Sequence, residues 1–99
     1  NLIRRDTAID SIFVYNDLMA LGVLKALHDT AVRIPDDVTV LGHDDVAAAR
    51  YYYPALSTVR VAKYQLGYQS AEELLELIKD EHYPLKQNVF QPELVIRDS

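Results

Sequence analysis

Two polar clusters interrupt apolar runs in this chain, and both carry groups able to bind a small polar molecule. Asn16-Asp17 follows Ser11-Ile12-Phe13-Val14-Tyr15, and His43-Asp44-Asp45 follows Val38-Thr39-Val40-Leu41-Gly42. An amide offers a donor and an acceptor together. A carboxylate can accept two hydroxyl protons side by side, which suits a vicinal diol. On these grounds Asp44 is the stronger carboxylate, and Asn16 can hydrogen-bond a ligand hydroxyl. Asn16 and Asp17 also have a structural reading, since either can cap a following helix and an acidic group suits the positive end of its dipole. Asp45 points away from Asp44 on an extended backbone and reads as the cap of the next turn. Paired carboxylates can also do acid–base or metal chemistry. Here no second matched pair and no His-x-x-His spacing supports either, and no nucleophile–base set or glycine-rich phosphate loop accompanies them.

The elements that must position these groups are legible from the pattern. Ile12–Tyr15 is β-prone with no polar alternation and predicts a fully buried strand. Asp17–His28 predicts a helix of crossover length, and Val38–Leu41 a second buried strand. Together they describe a βαβ unit whose polar groups converge at the carboxyl ends of the strands, the place where open α/β sheets bind ligands. The helix is apolar nearly all round, with Leu18 and Leu21 on one side and Ala20, Val23, Leu24 and Leu27 on another, so it should be buried on two sides, one against the sheet and the other against a second element or a second subunit. Gly42 is expected to let the backbone turn sharply before Asp44. Ala47–Tyr53, closed by Pro54, predicts a short helical turn, and Leu56–Val61 a strand. Tyr64–Lys79 predicts a second long helix. Its stripe is Leu66, Ser70, Leu74, Leu77 and Ile78, its outward face Glu72, Glu73, Glu76 and Lys79, and Gly67 permits close packing. Glu93–Arg97 predicts a last short strand.

Composition sets the outer limits. The chain has 99 residues and a net charge of −5, which would repel a phosphate backbone and disfavours direct nucleic-acid binding by this segment. The absence of cysteine removes disulfides, thiolate catalysis and thiolate zinc sites. No apolar run approaches the roughly 20 residues of a membrane span. The opening Asn1-Leu2-Ile3-Arg4-Arg5-Asp6 is polar and does not read as a secretory signal. His28, at a helix end, and His82, in a loop, suggest no ligand set.

Four ordered blocks carry a family resemblance: Val14–Gly22, Arg33–Asp45, Pro54–Arg60 and Gln65–Gly67, followed by the ending Gln91–Ser99. In this order they resemble the lac repressor/galactose repressor (LacI/GalR) family of transcription regulators. The resemblance implies an α/β fold with a three-layer parallel sheet, the type I periplasmic-binding-protein-like, Rossmann-like lobe, present as a partial module. Residues 1–61 would be part of the C-terminal lobe, residues 62–83 a crossover helix packed on the N-terminal lobe, and residues 84–99 the return segment and final strand. It implies a small-molecule effector, a carbohydrate or derivative, contacted by Asn16 and Asp44 and less directly by Asp17 and His43. His43 stands where the family carries Phe or Tyr, so it either fills an aromatic slot or alters ligand choice. The family's dimer contact falls on Leu21 and Tyr52, within the aromatic run Tyr51-Tyr52-Tyr53. DNA would be met only through an upstream helix-turn-helix head, in the cytoplasm, with no cofactor, no metal and no catalysis. Lys63 stands at the lobe crossover, beside the cleft or in solvent. Two other classes share the fold: a solute-binding protein of an ABC transporter, and an enzyme on a doubly wound sheet. Without its other lobe, the second helix should lack cover for its stripe, and the isolated chain should repack, swap or self-associate.

Overall fold

A computed structural model describes residues 9–99. The polar opening Asn1–Asp6, with the expectation about a signal segment, lies outside the described residues. Four strands form one sheet in the order β1-β2-β3-β4: β1 (Ser11–Phe13), β2 (Thr39–His43), β3 (Ser57–Arg60) and β4 (Glu93–Val95). β1, β2 and β3 are parallel, with Phe13 opposite Leu41 and Leu41 opposite Ser57. β4 is antiparallel to β3, with Val59 opposite Leu94. This is the expected α/β architecture, with a parallel-dominated sheet.

The chain divides into two compact units. The first holds the described residues up to Arg60 together with Glu93–Ser99, the second Val61–Pro92. In the first unit, α1 (Asp17–Asp29) starts where sequence chemistry says it should. Asn16 is its N-cap, and its Oδ1 accepts from the Met19 N–H at 2.8 Å. The helix ends at Thr30, whose hydroxyl donates to the Leu27 carbonyl at 2.9 Å. Its inward stripe is Asp17, Ala20, Leu24 and Leu27, spaced three or four apart as one helical face requires. With Val14, Val38, Val40, Ala49 and Leu56 the apolar members of this stripe form the core. Within this chain burial is one-sided, and the described residues supply no second cover of the kind expected from another element or a second subunit. Leu18 and Met19 are exposed, while Leu21 and Val23 pack only partly against the core.

The fully buried reading of Ile12–Tyr15 also fails. Val14 is buried, but Phe13 is 66% and Tyr15 82% exposed. An unbroken apolar run implies cover on both faces of a strand. Within this unit β1 shows an alternation of burial instead, because α1 covers one face.

Gly42 has a different purpose from the one expected. It has no positive φ. A Cβ there would collide with Asp17 Oδ1 and stand 3.0 Å from Leu56 Cδ2, so glycine is needed for close approach, not for a turn. The turn itself is made by Asp44 and Asp45, with φ of 108° and 50°. The tail is tied back onto the sheet by side chains. The Ser99 hydroxyl accepts from Ser57 N–H at 2.8 Å and donates to the Val40 carbonyl at 2.7 Å.

The second unit is built around α2 (Lys63–Lys79), in which no residue is buried. Leu66, Leu74 and Ile78 are exposed and Leu77 is half-buried, so the apolar stripe read from the sequence has little cover within its own unit. Nothing approaches Gly67, and the close packing expected there is not found among the described residues.

Candidate functional site

The candidate site lies at the carboxyl ends of β1 and β2. Phe13, Tyr15, His43 and Asp44 line an open hollow of about 420 Å³. His43 Nδ1 lies 3.1 Å from Asp44 Oδ1, so the ring and carboxylate form one polar wall and the two exposed aromatic rings an apolar one. Sequence reasoning placed His43 and Asp44 here but buried Phe13 and Tyr15. The signal that could have found them is the period of two along β1, which puts Phe13 and Tyr15 on one face and Ile12 and Val14 on the other.

Backbone geometry sets Asp44. Its N–H donates to the Val59 carbonyl at 2.9 Å, and the next N–H, of Asp45, reaches Thr58 Oγ1 at 3.3 Å. Both bonds draw the loop after β2 onto β3. Asn16 stands at the end of β1 but does not line this hollow; with Oδ1 committed to the helix cap, it has its amide N–H donors to offer a ligand.

Asp17 and Asp45 are turned into the fold. Asp17 is 0% exposed and accepts from the Thr58 hydroxyl at 2.6 Å and the Val46 N–H at 2.8 Å. It therefore joins α1 to β3 and to the loop after Asp45, which goes beyond an interaction with the helix dipole. Asp45 is not the cap of the next turn: the 3-10 turn Ala47–Arg50 begins at Val46 with no side-chain cap. Its carboxylate, 4% exposed, instead accepts from Arg60 Nε and Arg97 Nη2, both at 2.6 Å. Burial would raise this carboxyl, but the Arg97 and Arg60 guanidiniums outweigh burial and hold it below its usual value. The pairing with Arg97 spans 52 positions and has no local sequence signal.

Leu21 and Tyr52 pack at the margin of the core, with Tyr51 and Tyr53 exposed beside Tyr52. Lys63 opens α2. Among the described residues no group of three or more His, Cys, Asp or Glu could hold a metal ion, and no helix is long and apolar enough to cross a membrane.

A parallel-dominated sheet with an open polar and aromatic hollow at its strand ends defines the chain as part of an open α/β lobe with a crevice at the carboxyl edge of its sheet. The chain belongs to the periplasmic binding protein-like domain family, whose profile matches residues 3–99, and within it to the effector-binding module of LacI/GalR-type regulators, of which it is a part. It is 40% identical to the HTH-type transcriptional repressor PurR of Vibrio parahaemolyticus, over 97% of this chain and 28% of that protein. The LacI transcriptional regulator structure from Bacillus cereus subsp. cytotoxis is 30% identical with a TM-score of 0.92, over 98% of this chain and 34% of that one. A LacI family regulator from Arthrobacter sp. FB24, solved in complex with lactose, is 34% identical with a TM-score of 0.85, over 99% of this chain and 37% of that one. The chain thus spans less than a third of the length of the curated relatives it matches.

Proposed function

We propose that this chain is the C-terminal part of the effector-binding module of a transcription regulator, and that its effector is a carbohydrate or a similarly amphipathic small molecule. The observation that carries this is the hollow itself: a carboxylate and imidazole face two exposed aromatic rings. Sugars present hydroxyl pairs on one edge and apolar C–H faces on another, and such a site meets both. Asp44 accepts ligand hydroxyl protons, Asn16 donates from its amide, and His43 adjusts selectivity. Asp17, committed inside the fold, contributes only through the scaffold.

In this reading residues 1–61 belong to the C-terminal lobe, residues 62–83 cross to the N-terminal lobe and residues 84–99 return. The exposed stripe of α2 supports the crossover assignment, because it needs a surface from elsewhere. Leu21 and Tyr52 meet a second copy in a homodimer, with Leu18 and Met19 extending that apolar face. DNA is contacted by an upstream head, in the cytoplasm, and the chain itself catalyses nothing. Effector binding alters operator affinity by favouring one of two lobe arrangements, which requires different affinities for the two. The names of the relatives favour a regulator over a transporter component.

The test uses the full-length protein, its operator and a panel of mono- and disaccharides that includes lactose. Asp44→Ala should abolish the sugar-dependent change in operator affinity and leave sugar-free operator binding intact. Asn16→Ala should weaken the response less. A full response in Asp44→Ala refutes the site.

A further inference from the structure

Asp45 sits between two guanidiniums that belong to two different parts of the chain. Arg60 is the last residue of the first unit before the chain leaves it, and Arg97 follows the return at Glu93. Arg60 Nη1 also pairs with Glu93 at 3.1 Å, so the exit and the re-entry are held to each other as well as to Asp45. Arg97 Nη1 donates to the Leu56 carbonyl at 2.6 Å. The Asp45 carboxylate is 4% exposed and the Arg97 side chain 14%, so this pair is built into the fold, while Arg60 reaches it from the surface. The neighbouring Asp44 has a φ of 108°, outside the left-handed helical region that aspartate tolerates. Backbone in such a state persists only when its surroundings over-determine it.

We propose that Asp45 is a positioning residue for the effector site: its ion pairs with Arg60 and Arg97 hold the strained Asp44 backbone that presents the Asp44 carboxylate to the hollow, and they tie that loop to both points where the chain crosses between units. This rests on the reading of Asp44 as an effector contact. Asp45 touches no ligand. With its partners it fixes the loop in advance, so binding need not order it. Because the same carboxylate grips the crossover strands, a ligand that shifts Asp44 pulls on the segments whose geometry must change when the lobes move. The coupling is carried by a contiguous set of charged hydrogen bonds.

The experiment uses the full-length protein and the variants Asp45→Asn, Arg97→Lys, Asp44→Ala and Asp44→Ala/Asp45→Asn. Hydrogen exchange at the Asp44 amide needs no ligand. It should speed up at least tenfold in Asp45→Asn and also rise in Arg97→Lys, which keeps the charge but loses the fork. Exchange at Val14, whose N–H bonds to Leu41, should stay unchanged. Unaltered exchange at Asp44 overturns the clamp. Affinity is then read with whichever sugar of the lactose-containing panel binds the wild type best. Asp45→Asn should weaken it about tenfold, and the double variant should bind no worse than Asp44→Ala alone. Additive losses would mean that Asp45 acts independently of Asp44 and overturn the positioning role. Wild-type affinity in Asp44→Ala, or a panel in which no sugar binds, refutes the effector-site reading instead, and the exchange result still decides whether the clamp exists.

Discussion

The two polar pairs, Asn16-Asp17 and Asp44-Asp45, are built alike and held differently. In each, the first residue stands at a strand end and the second is turned into the fold. Asp17 is gripped by neutral donors, the Thr58 hydroxyl and the Val46 N–H. Asp45 is gripped by two guanidiniums. Asn16 starts a regular helix from an extended backbone, whereas Asp44 occupies a strained one. The first junction is therefore a plain anchor. The second combines a charge clamp with local strain, the combination in which a site is preorganised by the structure around it. Sequence proximity alone does not separate an aspartate that lines the hollow from one turned into the scaffold; the partners of each do.

The largest perturbation should come where the junctions meet. Gly42→Ala puts a methyl group into Asp17 Oδ1 and against Leu56. Asp17 must then leave Thr58 and Val46, so overpacking and orphaned donors combine for about 3–5 kcal/mol. Urea unfolding of the full-length variant checks this, and a loss under 1 kcal/mol would show that Asp17 is not the rigid anchor described. Next in size is the acid response of Asp45. Its folded carboxyl titrates below the usual value, so the unfolded chain takes up the proton first as pH falls. The stabilisation is fully present above about pH 4 and is lost as pH drops through the folded value. Asp45→Asn should flatten that part of the stability profile. Asp29 and Asp37 are lowered in the same direction, by Lys25 and by Arg33, but both are exposed. Added salt should therefore erase their share and leave that of Asp45. A profile in Asp45→Asn identical to the wild type would remove the distinction between the two pairs.

What the sequence made legible follows from how local each feature is. The start of α1, its cap and its core stripe depend on residues within three or four positions of each other. The start and the cap were readable from Asn16-Asp17, whereas the spacing of Ala20, Leu24 and Leu27 did not single out one buried face in a helix apolar nearly all round. Strand limits shifted, Val38–Leu41 becoming Thr39–His43, because hydrogen-bonding partners in β1 and β3 decide them. One-sided burial of α1 and β1 could not be read from apolar runs that imply two-sided cover. The bonds of Asp45 to Arg97 and of Ser99 to Val40 close loops of dozens of residues, and nothing near either end announces them. For the site, Asp44 and His43 were legible as polar residues ending an apolar run. The aromatic wall of Phe13 and Tyr15 was not, since its exposure depends on which sheet face is covered.

The smallest effects separate the two residues that stand at the strand ends, Asn16 and Asp44. Asn16→Ala removes one cap bond and should lower stability by about 1 kcal/mol, within the range measured for such caps. Asp44→Gly should do the opposite. Glycine adopts a φ of 108° without the strain aspartate bears, a relief of about 1–3 kcal/mol, offset by about 0.5–1 kcal/mol of extra chain entropy in the unfolded state. The half-buried pairing with His43 contributes little beside these terms. The expected outcome is unchanged or slightly higher stability with the sugar response gone. Such a split between stability and response is what strain held for function leaves behind. A destabilisation of Asp44→Gly comparable to that of Asn16→Ala would mean that Asp44 is another anchor, and the contrast between the two junctions would collapse.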